Sequence, residues 1–219
     1  MNTCDSMAVL LTVFFLCLTY DAESQDPLRF EAQVAEIVDQ KVGPEHPLFL
    51  FTGSSSIRMW KDLANRYPEH HVFNTGFGGS QFSDLIYYSD ELILRHNPST
   101  VFIYEGDNDI ADGKSHKQIG KDAKRLIKII HKHDRLIQIV LISPKPSLAR
   151  WHLKDQYDLT NEKLSEIARR RSFVKFADVW NPMLDESGHV FKDIFIEDGL
   201  HMNSKGYDIW SNVLRPFLQ

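Results

Sequence analysis

Serine, histidine and aspartate occur in this chain where they could together carry out acyl transfer. Adjacent serines stand in Phe51-Thr-Gly-Ser-Ser-Ser-Ile57, and an Asp precedes a His by three positions in Glu197-Asp-Gly-Leu-His201. A serine oxygen becomes a nucleophile when a neutral imidazole accepts its proton, and a carboxylate on the other ring nitrogen fixes the tautomer and orientation of that imidazole. An Asp three positions before the His can curl back to do this locally. The reaction also needs donors for a developing oxyanion. Backbone N–H groups at Ser55 and in the glycine loop Asn74-Thr-Gly-Phe-Gly-Gly-Ser80 could supply them, as could the side-chain amide of Asn108 in Glu105-Gly-Asp-Asn-Asp109. No metal or cofactor is required by this chemistry. Each feature also has a plainer reading, since serines cap helices, glycines turn chains and a histidine before a helix can sit at the surface.

The elements that must hold these residues can be read from hydropathy. Pro47-Leu-Phe-Leu-Phe51 reads as a buried strand turning sharply into a helix that carries Ile57, Trp60 and Leu63. Before it, Phe30, Val34, Ile37 and Val38 recur at helical spacing over Gln25–Gln40. After it come a short strand His71-Val-Phe73, a helix over about 81–95, a strand over Pro98–Tyr104 and a helix over 115–133. Leu136–Ile142 is the most apolar strand, stopped by Ser143-Pro-Lys-Pro146. A helix over about 153–171, a strand Ser172–Phe176 and a last helix from near Asn203 complete the pattern. Strands alternating with helices predict a mostly parallel, five-stranded sheet covered on both faces, as one domain over 25–219. In such sheets ligands bind beyond the carboxyl ends of the strands. The serine run, the glycine loop and the Asn108 loop all end strands, so they are expected at one edge.

The chain has 219 residues, 25 basic and 30 acidic, with a formal net charge of −5. That balance gives no sign of nucleic-acid binding. Met7–Leu18 is apolar and Ala22-Glu-Ser24 offers small residues for cleavage before Gln25, so residues 1–24 read as a signal peptide and the protein as secreted. The apolar run is too short for a membrane span, which needs about 20 residues. Both cysteines, Cys4 and Cys17, lie in that leader, so the expected mature chain has neither disulfides nor cysteine-based metal sites. Lys145, Arg150 and Trp151 come after the fourth strand and are expected to overhang the same edge, where they could meet a polar or anionic substrate, or form an ordinary ion pair and a partly buried tryptophan. Trp60, Trp180 and Trp210 read as packing residues, and Asp109 as a turn or cap residue.

Four blocks in order, Gly53-Ser-Ser55, Asn74-Thr-Gly-Phe-Gly-Gly79, Gly106-Asp-Asn-Asp109 and Asp198-Gly-Leu-His201, resemble those of the SGNH, or GDSL-type, serine hydrolases. The likeness spans about residues 47–216. It implies a flavodoxin-like three-layer α/β/α domain, with Ser55 as nucleophile, His201 as base and Asp198 as its orienting carboxylate. Gly79 and Asn108 would complete an oxyanion hole with the N–H of Ser55. The family includes esterases, lipases, thioesterases and carbohydrate deacetylases, so a small-molecule, lipid or sugar ester is the expected substrate. The glycine block is similar to that of acetylhydrolases acting on platelet-activating factor, which points toward short acyl groups. Ser54 stands where the family has Asp. That departure keeps Ser54 and Ser56 as fallback nucleophiles and a non-catalytic binding protein as the other reading, with an acyltransferase as a third.

Overall fold

The computed structural model describes residues 26–219 apart from 41 and 44, so the signal-peptide reading lies outside the described residues. Five strands form one sheet: β1 (Leu48–Gly53), β2 (His71–Asn74), β3 (Thr100–Tyr104), β4 (Gln138–Ile142) and β5 (Val174–Ala177). Their order is β2-β1-β3-β4-β5 and every pairing is parallel. The chain therefore steps outward from β1 to β2 and then crosses back over β1 to β3, from where it continues the other way, which puts the switch in strand order between β1 and β3. A crevice opens at their carboxyl ends for that reason.

Alternate side chains along each strand face opposite layers. Leu50, Val101, Ile103, Ile139 and Leu141 join one core, with Phe82, Leu85, Ile119, Leu126, Ile130 and Leu164. These come from α4 (Phe82–Tyr87), α7 (His116–His133) and α8 (Lys154–Arg169), while α1 (Glu31–Val38) adds Val34 and Ile37. The opposite face is aromatic. Phe51 and Phe102 stack there at 4.3 Å, beneath Trp60, Tyr67, Tyr207 and Trp210. Trp60 and Trp210 are 1% and 0% exposed, as their reading as packing residues required. Trp210 belongs to α9 (Ser204–Leu214), so the contacts that bury it also fix the helix that comes after His201.

Helix boundaries depart from the sequence pattern where local chemistry breaks the ladder. The pattern after β1 yields two single turns, α2 (Ser55–Arg58) and α3 (Leu63–Arg66). The stretch over 81–95 divides into α4, α5 (Ser89–Leu92) and a 3-10 turn at Leu94–His96. Ser89 Oγ bonds back to the Ile86 carbonyl at 2.9 Å, a side-chain bond that competes with the helical ladder. A further turn, α6 (Asp107–Ala111), occupies a stretch that reads as loop. β4 begins two residues later than its apolar run, because Asp134 accepts the Leu136 N–H at 2.8 Å and Leu136 is left 82% exposed. Among the described residues no helix is long and apolar enough to cross a membrane.

Candidate active site

The end of β1 is pinned to the end of β3. Gly53 has φ +121°, and a Cβ there would collide with the Tyr104 carbonyl, so only glycine lets the chain turn this close to its neighbour. Ser54 N donates to the Tyr104 carbonyl at 3.0 Å, and α2 starts at the next residue. The glycine loop is tied to the same point, with Phe77 N donating to the Gly53 carbonyl at 2.8 Å. The chain between β1 and α2 is thereby held at the switch in strand order.

Three adjacent serines are thus given three different surroundings. Ser55 Oγ lies 2.9 Å from His201 Nε2. Ser54 is buried, and its Oγ accepts from Asn108 Nδ2 at 2.8 Å. Ser56 is buried as well, and its carbonyl accepts from Tyr207 OH at 2.9 Å.

His201 is oriented from the other side by Asp198. Oδ2 of Asp198 meets His201 Nδ1 at 2.6 Å, while Oδ1 accepts the N–H groups of Leu200 and His201, both at 2.8 Å. Burial works against the charge on this carboxyl, but the hydrogen bonds from the imidazole and the two amides outweigh it and hold the group down at about 2. An ionised carboxylate only accepts, so in the neutral ring Nδ1 carries the hydrogen and Nε2 is the nitrogen left to accept from Ser55. The turn is closed by Ile196 N on the His201 carbonyl at 2.9 Å. Asn203 caps α9 through Lys205 N at 2.9 Å and ties back to the Asp193 and Phe195 carbonyls.

Two of the expected anion donors are backbone amides, and among the described residues no protein acceptor takes the N–H of Ser55 or of Gly79. Gly79 has φ +77° and lies exposed. Asn108 is half-buried at the start of α6, and its Nδ2 donates to Ser80 O at 2.9 Å as well as to Ser54 Oγ. The adjacent Asp109 caps α4, accepting Phe82 N at 3.2 Å and Lys114 Nζ at 2.9 Å.

Lys145 does not overhang the edge. It is 0% exposed, donates from Nζ to the Leu200 carbonyl at 2.6 Å, and faces Asp107 Oδ2 at 3.8 Å, because the loop after β4 folds inward beneath the His201 turn. Burial pushes its ammonium below the ordinary lysine range, with Asp107 opposing the shift. Arg150 is committed to protein groups too, donating to Asp107 Oδ1 at 2.7 Å, Asp107 O at 3.0 Å and Asn108 Oδ1 at 3.0 Å. Trp151 stacks on Trp180 at 6.0 Å and is partly buried. Arg150 thus forms an ion pair and Trp151 is a partly buried tryptophan, the plainer of the two readings that the sequence left open.

Sequence reasoning passed over Asp107 and Glu105. Asp107 accepts from Tyr104 OH at 3.0 Å and from Tyr157 OH, and burial is outweighed by Lys145 and Arg150, so its carboxyl stays below the ordinary range. Glu105 accepts from Ser80 Oγ at 2.6 Å, and burial pushes it well above the usual carboxylate range. The signal for Glu105 was an acidic residue directly after the apolar run Val101–Tyr104, and Asp107 stood within the third block without a role assigned to it. Among the described residues no group of three or more His, Cys, Asp or Glu side chains could hold a metal.

Solved structures share this architecture. A protein from Streptococcus pneumonia described as a platelet activating factor superposes with a TM-score of 0.76 at 20% identity, over 87% of this chain and 92% of that one. A protein from Bacteroides fragilis described as an acylhydrolase gives 0.66 at 20% identity, over 87% and 94%. A catalytic mutant of an acetylxylan esterase from Geobacillus stearothermophilus gives 0.65 at 17% identity, over 80% and 95%. At such identities the likeness is one of fold. The N-acylneuraminate cytidylyltransferase of Escherichia coli is 29% identical over 152 residues, 68% of this chain, which spans about a third (35%) of that protein. Residues 40–209 match the GDSL-like lipase/acylhydrolase family, and the chain belongs to that family.

Proposed function

We propose that this enzyme cleaves carboxylic esters of short acyl groups through an acyl-enzyme on Ser55. The observation that carries the reading is the unbroken relay from Asp198 through His201 to Ser55, with contacts of 2.6 and 2.9 Å. In the first half-reaction Ser55 Oγ bonds to the acyl carbon as its proton passes to His201 Nε2. The acyl oxygen becomes an oxyanion beside the N–H of Ser55, the N–H of Gly79 and the amide of Asn108. Collapse of this intermediate breaks the bond to the alcohol, which leaves with the proton from Nε2. Water then takes the place of the alcohol, gives its proton to His201 and releases the acid, restoring Ser55.

Asn108 Nδ2 already donates to Ser54 Oγ and to Ser80 O, so an oxyanion formed at Ser55 must share or take one of these hydrogens. The short-acyl reading is supported by a neighbour described as an acetylxylan esterase. A purely binding role has no use for the relay, which argues against that alternative. Ser55→Ala should lower p-nitrophenyl acetate hydrolysis at least about a thousandfold, with the fold intact by circular dichroism. A fluorophosphonate probe should label Ser55 in the parent protein and leave the variant unlabelled. Undiminished turnover in the variant would remove Ser55 from the reaction.

A further inference from the structure

The side chain of Asn108 is held in one orientation by partners of opposite kind. Its Oδ1 accepts from Arg150 Nη2 at 3.0 Å, and its Nδ2 donates to Ser80 O at 2.9 Å and to Ser54 Oγ at 2.8 Å. A guanidinium has no acceptor and a backbone carbonyl has no donor. Flipping the amide would therefore set donor against donor at Arg150 and acceptor against acceptor at Ser80. Without Arg150 the constraint rests on Ser80 and Ser54 alone, and a serine hydroxyl accepts or donates equally well.

Arg150 is itself clamped. Nη1 donates to both the side chain and the carbonyl of Asp107, at 2.7 and 3.0 Å, and Tyr157 OH holds the same Asp107 oxygen. One guanidinium thus joins the residue before Asn108 to the Asn108 amide in a fork that a lysine cannot reproduce. Its charge sits on the carbonyl side of that amide, so it draws electron density from the nitrogen and strengthens the Nδ2 hydrogens as donors.

We propose that Arg150 is a positioning residue of the oxyanion hole: it fixes and polarises the Asn108 amide and does not itself touch substrate. The proposal rests on the reading of Asn108 as an oxyanion donor. A misdirected donor costs part of the loss caused by a missing one, which is typically about 100- to 1000-fold in kcat.

The test compares Arg150→Lys, Arg150→Gln, Asn108→Ala and the double variant Arg150→Lys/Asn108→Ala on p-nitrophenyl acetate, a neutral ester too small to reach a remote cation. Arg150→Lys should lower kcat at least about tenfold with KM within about threefold, and the double variant should be no slower than Asn108→Ala alone. Arg150→Gln, whose shorter side chain carries neither the charge nor the reach of Nη2 to Asn108 Oδ1, should lower kcat at least as far as Arg150→Lys, and it carries the test if Arg150→Lys does not fold. Losses that multiply in the double variant, or a rise in KM at unchanged kcat, would overturn the proposal. A second readout is independent of catalysis: the side-chain amide resonances of Asn108, assigned by their loss in Asn108→Ala, should shift in Arg150→Lys. If Ser55→Ala still hydrolyses the ester, the esterase reading has failed, and these resonances alone decide, since an unmoved amide refutes the positioning role.

Discussion

Ser54 Oγ accepts a hydrogen bond from Asn108 Nδ2 at 2.8 Å, so the residue before the candidate nucleophile is joined directly to a candidate oxyanion donor. Where the family's first block has an aspartate, this chain places a neutral hydroxyl on that amide. A carboxylate there would accept more strongly and hold the amide hydrogen more tightly.

Ser54→Ala should consequently keep kcat within about tenfold of the parent. It removes one buried hydrogen bond, worth about 1 kcal/mol, and frees an Asn108 N–H from the Ser54 hydroxyl. For a domain of this size the melting temperature should fall by about 2–4 °C. Ester turnover and thermal melting of the variant check both statements. A loss of activity as deep as that of Ser55→Ala would instead give Ser54 the nucleophile's role.

Asp198→Asn should lower kcat by about a thousandfold or more, because a neutral amide no longer stabilises the imidazolium and can favour the wrong ring tautomer. The Asp198 carboxyl, at about 2 in the folded protein, lies below its unfolded value near about 3.9. Its contribution to stability is therefore fully present above about pH 4 and fades as pH falls toward 2. Urea titrations of parent and variant between pH 6 and 2 should show the parent's advantage shrinking in that window. An advantage independent of pH would disconnect the carboxylate from the turn it closes.

Much of this site is readable from sequence because its pieces end strands. β1 and β3 are continuous apolar runs that stop at Gly53 and Glu105, and the residues just past a central parallel strand are carried to the carboxyl edge. Asp198 and His201 are legible for a different reason, since their contact is local and needs only one turn. The buried charges beneath them are not legible. Ser143-Pro-Lys-Pro146 reads as exposed loop, and Lys145 acquires a partner only when the Leu200 carbonyl, 55 positions away, is folded against it. Arg150 and Asp107 are 43 positions apart and meet for the same reason. Long-range ion pairs leave no periodicity in a sequence, whereas strand burial does. The helix over 81–95 fails as a single element because one serine hydroxyl, on Ser89, turns back onto the ladder, a choice that hydropathy does not record.

Gly53→Ala tests whether the pinning of β1 to β3 governs the site. The residue has φ +121° and pairs with Tyr104 in the last register of the two strands, where a methyl group would strike the Tyr104 carbonyl. Both the backbone strain and the collision must be relieved by separating the strand ends, at a cost of at least about 3 kcal/mol, seen as a melting temperature lower by about 6 °C or more. The hydrogen bond from Ser54 N to the Tyr104 carbonyl, now 3.0 Å, lies in the path of that movement, and Ser55 is the next residue. Displacing Ser55 Oγ from His201 Nε2 by even an ångström weakens a contact that must form before the proton can pass. The variant's kcat, assayed below its melting temperature, should thus fall by about a hundredfold, more than Ser54→Ala loses. Unchanged melting and turnover would mean that the turn accommodates a side chain and that the position of Ser55 is set elsewhere.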